Sequence, residues 1–317
     1  MFAICLESSH DRGMGHFYRA LNLANYLLQI NQPCILYIND HEPSIKILNK
    51  INLPYRIIDL RDYVNNWESH LIKQDKINVW INDRLNTDII HAKKIKATNI
   101  SLVTFDDRGS GADLADINIV GLSFNSSEKF SGIKVLRGLD YLILNPTINS
   151  FKRHRHNLSS ILVTLGGSDT YGVTIKVVEI LKAINLKATI LVGPAFMHIE
   201  KLNKVINNNF VLKNNVFSMI EEFHYHDLAI TGGGITPFEA NASGLPCIVI
   251  ANEIFEVPIG EALEKLGGSV FAGHRESFLL PNFISDYPLE KMSCSGMKNI
   301  DTLGLDRVTE ALMKEIK

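Results

Sequence analysis

Short, continuous apolar runs alternate with helical patterns along this chain, and three of the runs lead into glycine-rich turns. The runs are Phe2–Leu6, Cys34–Ile38, Tyr55–Ile58, Val79–Ile81, Ser101–Phe105 and Ile117–Val120, then Ser160–Leu165, Ala188–Val192, Asp227–Thr231 and Pro246–Ala251. Most lack the in–out alternation of a half-exposed strand. They read as strands buried on both faces, which is the pattern of a parallel sheet covered by helices. Helical periodicity follows at His16–Gln29, Ser44–Asn49, Trp67–Gln74 and Asp88–Ala97. It resumes at Val173–Lys182, Met197–Val205, Phe217–Phe223, Pro237–Ser243, Pro258–Leu266 and the tail Asp301–Lys317. The fold class is therefore α/β.

The rhythm breaks once, between Leu144 and Asn157, where Pro146, Asn149 and the basic run Lys152–His156 read as an exposed linker. We expect two doubly wound, Rossmann-like domains, residues 1–148 and 149–317, with the last helix packing back on the first. The carboxyl ends of both sheets are expected to face a central cleft, since ligands of such sheets bind at those ends.

At 317 residues with 46% hydrophobic and 21% charged content, the chain has room for two globular domains of ordinary composition. A net charge of −2 gives no field for nucleic acid. Glu7 interrupts the first apolar run, and no run is long enough to span a bilayer. Cys5, Cys34, Cys247 and Cys294 form no CxxC pair, and three lie in apolar surroundings. Reduced thiols in a cytoplasmic protein are expected.

The segment Asp11–Arg19 carries the first chemistry. A strand, a turn with Gly13 and Gly15, and a helix start in that order make an anion site, because free N–H groups and the helix dipole favour phosphate. His16 adds a titratable imidazole, which points to a general base. Arg19, one turn on, is placed to reach a phosphate or to fix the loop. The turn is not the dinucleotide fingerprint, because Arg19 stands at the third glycine, and it lacks the Gly-Lys-Ser/Thr of a P-loop.

Two further turns follow strands in the second half. Gly166, Gly167 and Ser168 offer phosphate or sugar contacts, while Asp169 also fits a helix cap. Gly232, Gly233 and Gly234 precede Thr236 and Pro237 at a helix start, a second anion site. Glu239 in that first helical turn is placed for ribose hydroxyls, or simply compensates the dipole. Asn82-Asp83-Arg84 and Asp106-Asp107-Arg108-Gly109 each follow a strand, with Asp83 and Asp107 the candidates, and either orient His16, read a sugar, or form Asx turns and local ion pairs. Asn252 and Glu256 have the same ambiguity. No His/Cys cluster or Asp-x-Asp pair has metal spacing, so no metal or other cofactor is expected.

Taken together, GMGHFYR, LVTLGGSD, LAITGGGITPFEANASGLPCIVI and EVPIGEALEKLGG resemble the SpsG/PseG-like family of the GT-B group, over nearly the whole chain. That family includes the UDP-sugar hydrolase of the pseudaminic acid pathway and spore-coat polysaccharide proteins. The resemblance implies a GT-B-like pair of Rossmann domains, a nucleotide-sugar partner (UDP above others), and metal-independent chemistry. His16 takes the place of the histidine that activates the attacking water. Gly233, Gly234 and Glu239 take the places of the diphosphate and ribose contacts. The chain departs from the hydrolase at Arg84 or Leu85, where a tyrosine stands, and at Phe255, where an asparagine stands.

Three functions are open at this stage. The first is a nucleotide-sugar hydrolase that releases free sugar and nucleoside diphosphate in surface-glycan or nonulosonic acid biosynthesis. The second is a GT-B glycosyltransferase of polysaccharide biosynthesis, with His16 deprotonating an acceptor. The third is a non-catalytic nucleotide-sugar binding protein. The oligomeric state is not legible.

Overall fold

The computed structural model describes residues 1–9, 14–125, 127–214, 216–280 and 284–316. The chain divides into two compact units, residues 1–143 with 303–317, and residues 144–302.

Unit 1 runs β1 (Phe2–Leu6), α1 (Gly15–Gln29), β2 (Cys34–Ile38), α2 (Glu42–Leu48), β3 (Tyr55–Ile57), α3 (Trp67–Gln74), β4 (Val79–Asp83), α4 (Ile89–Lys96), β5 (Ser101–Phe105), β6 (Ile117–Val120) and β7 (Lys134–Arg137). Unit 2 runs α5 (Ile148–Phe151), β8 (Ile161–Thr164), α6 (Val173–Ala183), β9 (Ala188–Val192), α7 (Ile199–Val205), β10 (Phe210–Asn214), α8 (Met219–His224), β11 (Leu228–Gly232), α9 (Thr236–Ala242), β12 (Cys247–Ala251), α10 (Val257–Lys265), β13 (Ser269–His274) and α11 (Leu289–Asn299). A last helix, α12 (Gly304–Met313), belongs to unit 1.

Both sheets are parallel and doubly wound. Their orders are β3-β2-β1-β4-β5-β6-β7 and β10-β9-β8-β11-β12-β13. In each, the chain starts in the middle, builds outward to one edge, then returns to build the other. The point of reversal lies between β1 and β4 in the first sheet and between β8 and β11 in the second. At such a point the connections leave on opposite faces and open a crevice at the carboxyl ends of the strands. The carboxyl ends of β1, β4, β8 and β11 and the segments just after them carry His16, Asp83, Gly166–Asp169 and Gly232–Gly234.

The cores explain why these strands were legible as apolar runs. Every residue of β1, β2, β4, β5, β11 and β12 is buried. Helix α12 completes the first core by burying Leu305, Val308 and Leu312 beside Phe2, Phe17 and Ile143. Its first residue has no room for a side chain, since a Cβ on Gly304 would stand 2.0 Å from the Leu142 carbonyl oxygen. Strands β7, β10 and β13 and helix α11 escaped the sequence reading. β7 is a mostly exposed edge strand, and β13 is an edge strand paired to β12 across a register shift. Neither has the two-faced burial that made the others visible.

The basic run Lys152–His156 is not the solvated linker expected from its composition. Arg155 is fully buried. Its guanidinium donates to the carbonyls of Phe223 (2.7 Å), His226 (3.2 Å), Ser243 and Arg153. These include carbonyls at the C-terminal ends of α8 and α9, where a buried cation adds charge-assisted bonds to those from the backbone N–H groups of His226 and Arg153 already there. Arg153 adds bonds to His224 O and to Asp227 Oδ1 (2.8 Å). The segment pins the second unit together, because a planar five-donor group can serve several carbonyls where an ammonium cannot.

Candidate functional site

Helix α1 opens at Gly15, with no side-chain cap, and His16 is its second residue. Gly13 lies outside the described residues. Among the described residues, a Cβ at Gly15 would meet no atom within 4 Å. Parallel pairing sets Leu6 of β1 opposite Asp83 of β4, and the Asp83 side chain meets His16 there, with Oδ1 2.6 Å from Nδ1.

Arg19 completes the cluster. It is buried, donating from Nε to Asp83 Oδ2 at 2.8 Å and from Nη2 to Asp83 Oδ1 at 2.6 Å. Nη1 donates to Asp106 Oδ2, and the guanidinium lies over the Phe105 ring, 4.8 Å from its centroid. Of the two roles expected for Arg19, reaching a phosphate or fixing the loop, these bonds serve the second. Its donors are turned inward to two carboxylates, and it holds the site rather than the ligand.

These bonds decide the tautomer of His16. Burial would raise the Asp83 carboxyl, but Arg19 and His16 outweigh it and hold that carboxyl well below the usual range. An ionised Asp83 can only accept, so Nδ1 is the donor. Nε2 then carries the free lone pair, as a general base requires. His16 is partly exposed, while Asp83 behind it is buried.

Asp107 does not join this cluster. Its buried carboxylate accepts from Thr87 N (3.0 Å), Thr87 Oγ1 and Gly109 N (2.8 Å), which ties two loops together. The Asx-turn alternative holds there, and the neighbour that faces the site is Asp106. Asp106 sits at φ 47°, a left-handed conformation, which turns its carboxylate toward Arg19. Arg84, one of the two residues aligned with the hydrolase tyrosine, is buried; it donates to Leu60 O and pairs with Glu7 at 3.8 Å.

In the second unit, Gly166 takes a positive φ of 95° after β8. Gly167 packs against Gly193 so closely that a Cβ on Gly193 would stand 2.4 Å from the Gly167 carbonyl oxygen. Ser168 is half-buried, its hydroxyl 3.3 Å from that of Thr170. Asp169 caps α6 from outside, accepting from Val173 N and Thr174 N, both at 2.9 Å.

After β11, Gly234 faces open space and Thr236 begins α9, half-buried. Glu239 lies in the first turn of that helix. Burial pushes its carboxyl up to about 7, against a backbone N–H bond from Asn145. Gly233 and Glu256 are engaged with each other. The Glu256 carboxylate accepts from the backbone N–H groups of Asn252 (2.6 Å), Glu253 (3.4 Å) and Gly233. Substrate contacts at Glu256 and at the Gly233 N–H are thus corrected to a clasp between two loops. Burial also raises the Glu256 carboxyl. Asn252 gives its carbonyl to Arg275 and its amide Nδ2 to Leu165 O at 3.5 Å. Phe255, at the hydrolase asparagine position, is exposed. Among the described residues, no group of three or more His, Cys, Asp or Glu side chains is arranged to hold a metal ion.

The chain is 25% identical to the spore coat polysaccharide biosynthesis protein SpsG of Bacillus subtilis, across 98% of this chain and 96% of that protein. It is 29% identical to an uncharacterized protein of Methanocaldococcus jannaschii over 88% of this chain, and spans 61% of that protein's length. Among solved structures it is similar to Acinetobacter baumannii MurG, with a TM-score of 0.67 at 14% identity and 99% coverage of both chains. Phytolacca americana UGT2, solved with UDP-2-fluoro-glucose and pterostilbene, gives a TM-score of 0.58 at 10% identity, covering 99% of this chain and 94% of that one. The chain is thus similar to SpsG and has the GT-B fold. No family model matches it.

Within this GT-B chain the sequence pointed to His16, Asp83, the glycine turns and the Asp106–Asp107 pair, with Asp107 taken as the site residue of the two, and it offered Arg155 only as part of a linker. A one-residue choice between Asp106 and Asp107 is invisible to periodicity, because it depends on the backbone turn after β5. The available signal for Arg155 was its spacing from Arg153, which leaves only one residue between two cations that serve the same helix ends.

Proposed function

We propose that the protein is a nucleotide-sugar-dependent glycosyltransferase of polysaccharide biosynthesis. The observation that carries this reading is the His16–Asp83 dyad, with Nε2 as the free nitrogen. His16 would take the proton of an acceptor hydroxyl as that oxygen attacks the anomeric carbon of the donor sugar. The nucleoside diphosphate leaves with the bonding electrons, and Asp83 offsets the imidazolium charge. The nucleotide would be held by unit 2. Gly166–Ser168 and Gly234–Thr236 face its phosphates at two strand-to-helix turns, and Glu239 accepts from its ribose hydroxyls. Open space before Gly234 supports close approach of a ligand there. UDP is the nucleotide of choice because UGT2, of the same fold, was solved with a UDP sugar. The SpsG likeness supports the pathway class.

Hydrolysis is the second reading, favoured by the GMGHFYR segment and using the same base on water. It is weakened by Arg84 and Phe255, since the former is turned to Leu60 and the latter presents a bare ring.

The test is to incubate the protein with UDP-, CMP- and GDP-sugars, with and without hydroxyl acceptors, and to follow sugar and nucleotide by NMR. Product that requires the acceptor supports transfer. Free sugar from donor alone replaces this reading with hydrolysis. Tight UDP binding with no turnover under either condition leaves a binding protein.

A further inference from the structure

The cluster behind His16 holds more charge than a catalytic dyad needs. Asp83 alone would fix the tautomer. Instead Arg19 is inserted beside it, its Nη2 only 3.1 Å from His16 Nδ1, and a second carboxylate, Asp106, meets Arg19 from the far side. Arg19, Asp83 and Asp106 are all less than a tenth exposed. Charges so placed are poorly screened, so their count matters.

We propose that Asp106 is a positioning residue for His16 that acts through Arg19, by setting the net charge of this buried cluster. With a neutral imidazole the four groups sum to −1, from two carboxylates and one guanidinium. When His16 accepts a proton the sum becomes 0. Without Asp106 the same step would run from 0 to +1, against a guanidinium in contact with the ring. Asp106 therefore turns proton uptake from charge creation into charge neutralisation. This rests on the base role proposed for His16.

Three features hold Asp106 to that task. Its Oδ1 accepts from Gly121 N at 3.0 Å, which leaves Oδ2 for Arg19. Its left-handed backbone aims the side chain back at the cluster. The guanidinium that Oδ2 meets is itself held over the Phe105 ring, 4.8 Å from its centroid. Among the described residues, the charged groups bonded in this cluster are Asp83 from β4, Arg19 from α1 and Asp106 after β5; Arg108, paired with Glu128 at 2.9 Å, donates to Asp106 O at 3.2 Å, and Glu7 pairs with Arg84 at the ends of β1 and β4. That pair contributes one charge of each sign.

The experiment reads the His16 ring in the free protein by long-range 1H–15N NMR during a pH titration. D106N suits the backbone, because asparagine accepts a left-handed conformation readily. It is expected to lower the His16 titration midpoint by about one pH unit, the scale on which a neighbouring charge acts. R19Q is expected to raise it. The double variant R19Q/D106N restores the charge count and is expected near the wild-type midpoint. D106E, which keeps the charge, should also stay near it. An unchanged midpoint in D106N overturns the proposal, as does a double variant that stays as low as D106N. If D106N alone does not fold, R19Q and the double variant carry the same comparison. Because the ring is read without substrate, a protein that turns over no nucleotide sugar still answers this question. The loss of the base reading would be a separate result.

Discussion

Arg19 grips Asp83 by both carboxylate oxygens, Nε to Oδ2 at 2.8 Å and Nη2 to Oδ1 at 2.6 Å. A two-point grip fixes the plane of the carboxylate as well as its position. Asp83 therefore presents Oδ1 to His16 in one orientation, and the imidazole is aimed before any ligand arrives. The helix, the strand and the side-chain fork act as one rigid support, the arrangement a proton transfer within hydrogen-bond reach requires.

Replacing the base should separate chemistry from binding. H16A is expected to lower kcat by about 10²- to 10⁴-fold, the usual worth of a positioned general base. UDP affinity should stay at the wild-type value, because His16 belongs to unit 1 and the proposed nucleotide contacts to unit 2. Steady-state kinetics beside calorimetry with UDP would check this. Full turnover by H16A would remove His16 from the mechanism.

Glu239 gives a proton-linked prediction. Its carboxyl lies at about 7 because it is buried. Ribose hydroxyls donate to the ionised form, so UDP binding near pH 7 should release a fraction of a proton. Calorimetry in buffers of different ionisation enthalpy measures that fraction. E239Q should abolish the release and weaken UDP binding by about tenfold to a hundredfold, the worth of hydrogen bonds to a charged group. Proton uptake on binding would contradict the ribose contact. In the absence of ligand the raised carboxyl works against the fold as it ionises, so its stabilising share is lost as pH rises from about 4.3, the unfolded value, through about 7. E239Q should flatten that decline.

Asp227 predicts the acid side of the stability curve. Burial would raise its carboxyl, but bonds from Ser159, Arg153 and Ser160 lower it to about 2. The unfolded value is about 3.9, so its stabilising share is present above that pH and lost as pH falls toward 2. D227N should be less stable at pH 7 and should lose less stability between pH 4 and 2. Urea unfolding at a series of pH values would show whether the two curves converge in acid.

Arg155 should matter more than its place in a basic run suggests. R155A removes the buried guanidinium from four carbonyls of the second unit, although Phe223 O keeps the His226 N–H at 3.3 Å and Ser243 O the Arg153 N–H at 3.2 Å. A loss of about 3 kcal/mol is expected for four charge-assisted bonds and a large buried side chain removed together. R155K should recover only part of it, since an ammonium cannot span the four carbonyls. Thermal unfolding of the three proteins gives the order. An R155A protein as stable as wild type would show that the carbonyls find other partners.

The amino-acid sequence by itself determined the architecture. Strands buried on both faces must be continuously apolar, and helices packed on a sheet must repeat every three to four residues, so both sheets and most of their helices could be read directly. It also determined where ligand chemistry could occur, because glycine turns that follow buried strands fall at strand carboxyl ends. Strands β7 and β13 lay beyond that reading, since edge strands relax the demand for apolar residues. Only the tertiary structure decided which side chains meet. Asp83 reaches His16 because parallel pairing sets the end of β4 beside the end of β1. Asp106 rather than Asp107 faces Arg19 because a single left-handed residue after β5 turns one carboxylate inward and leaves the next to tie loops. Arg155 is buried because two helix ends converge on it from 68 to 88 residues away in sequence. Spacing along a chain carries periodicity, whereas these contacts depend on strand order and on one backbone torsion, which only the folded chain fixes.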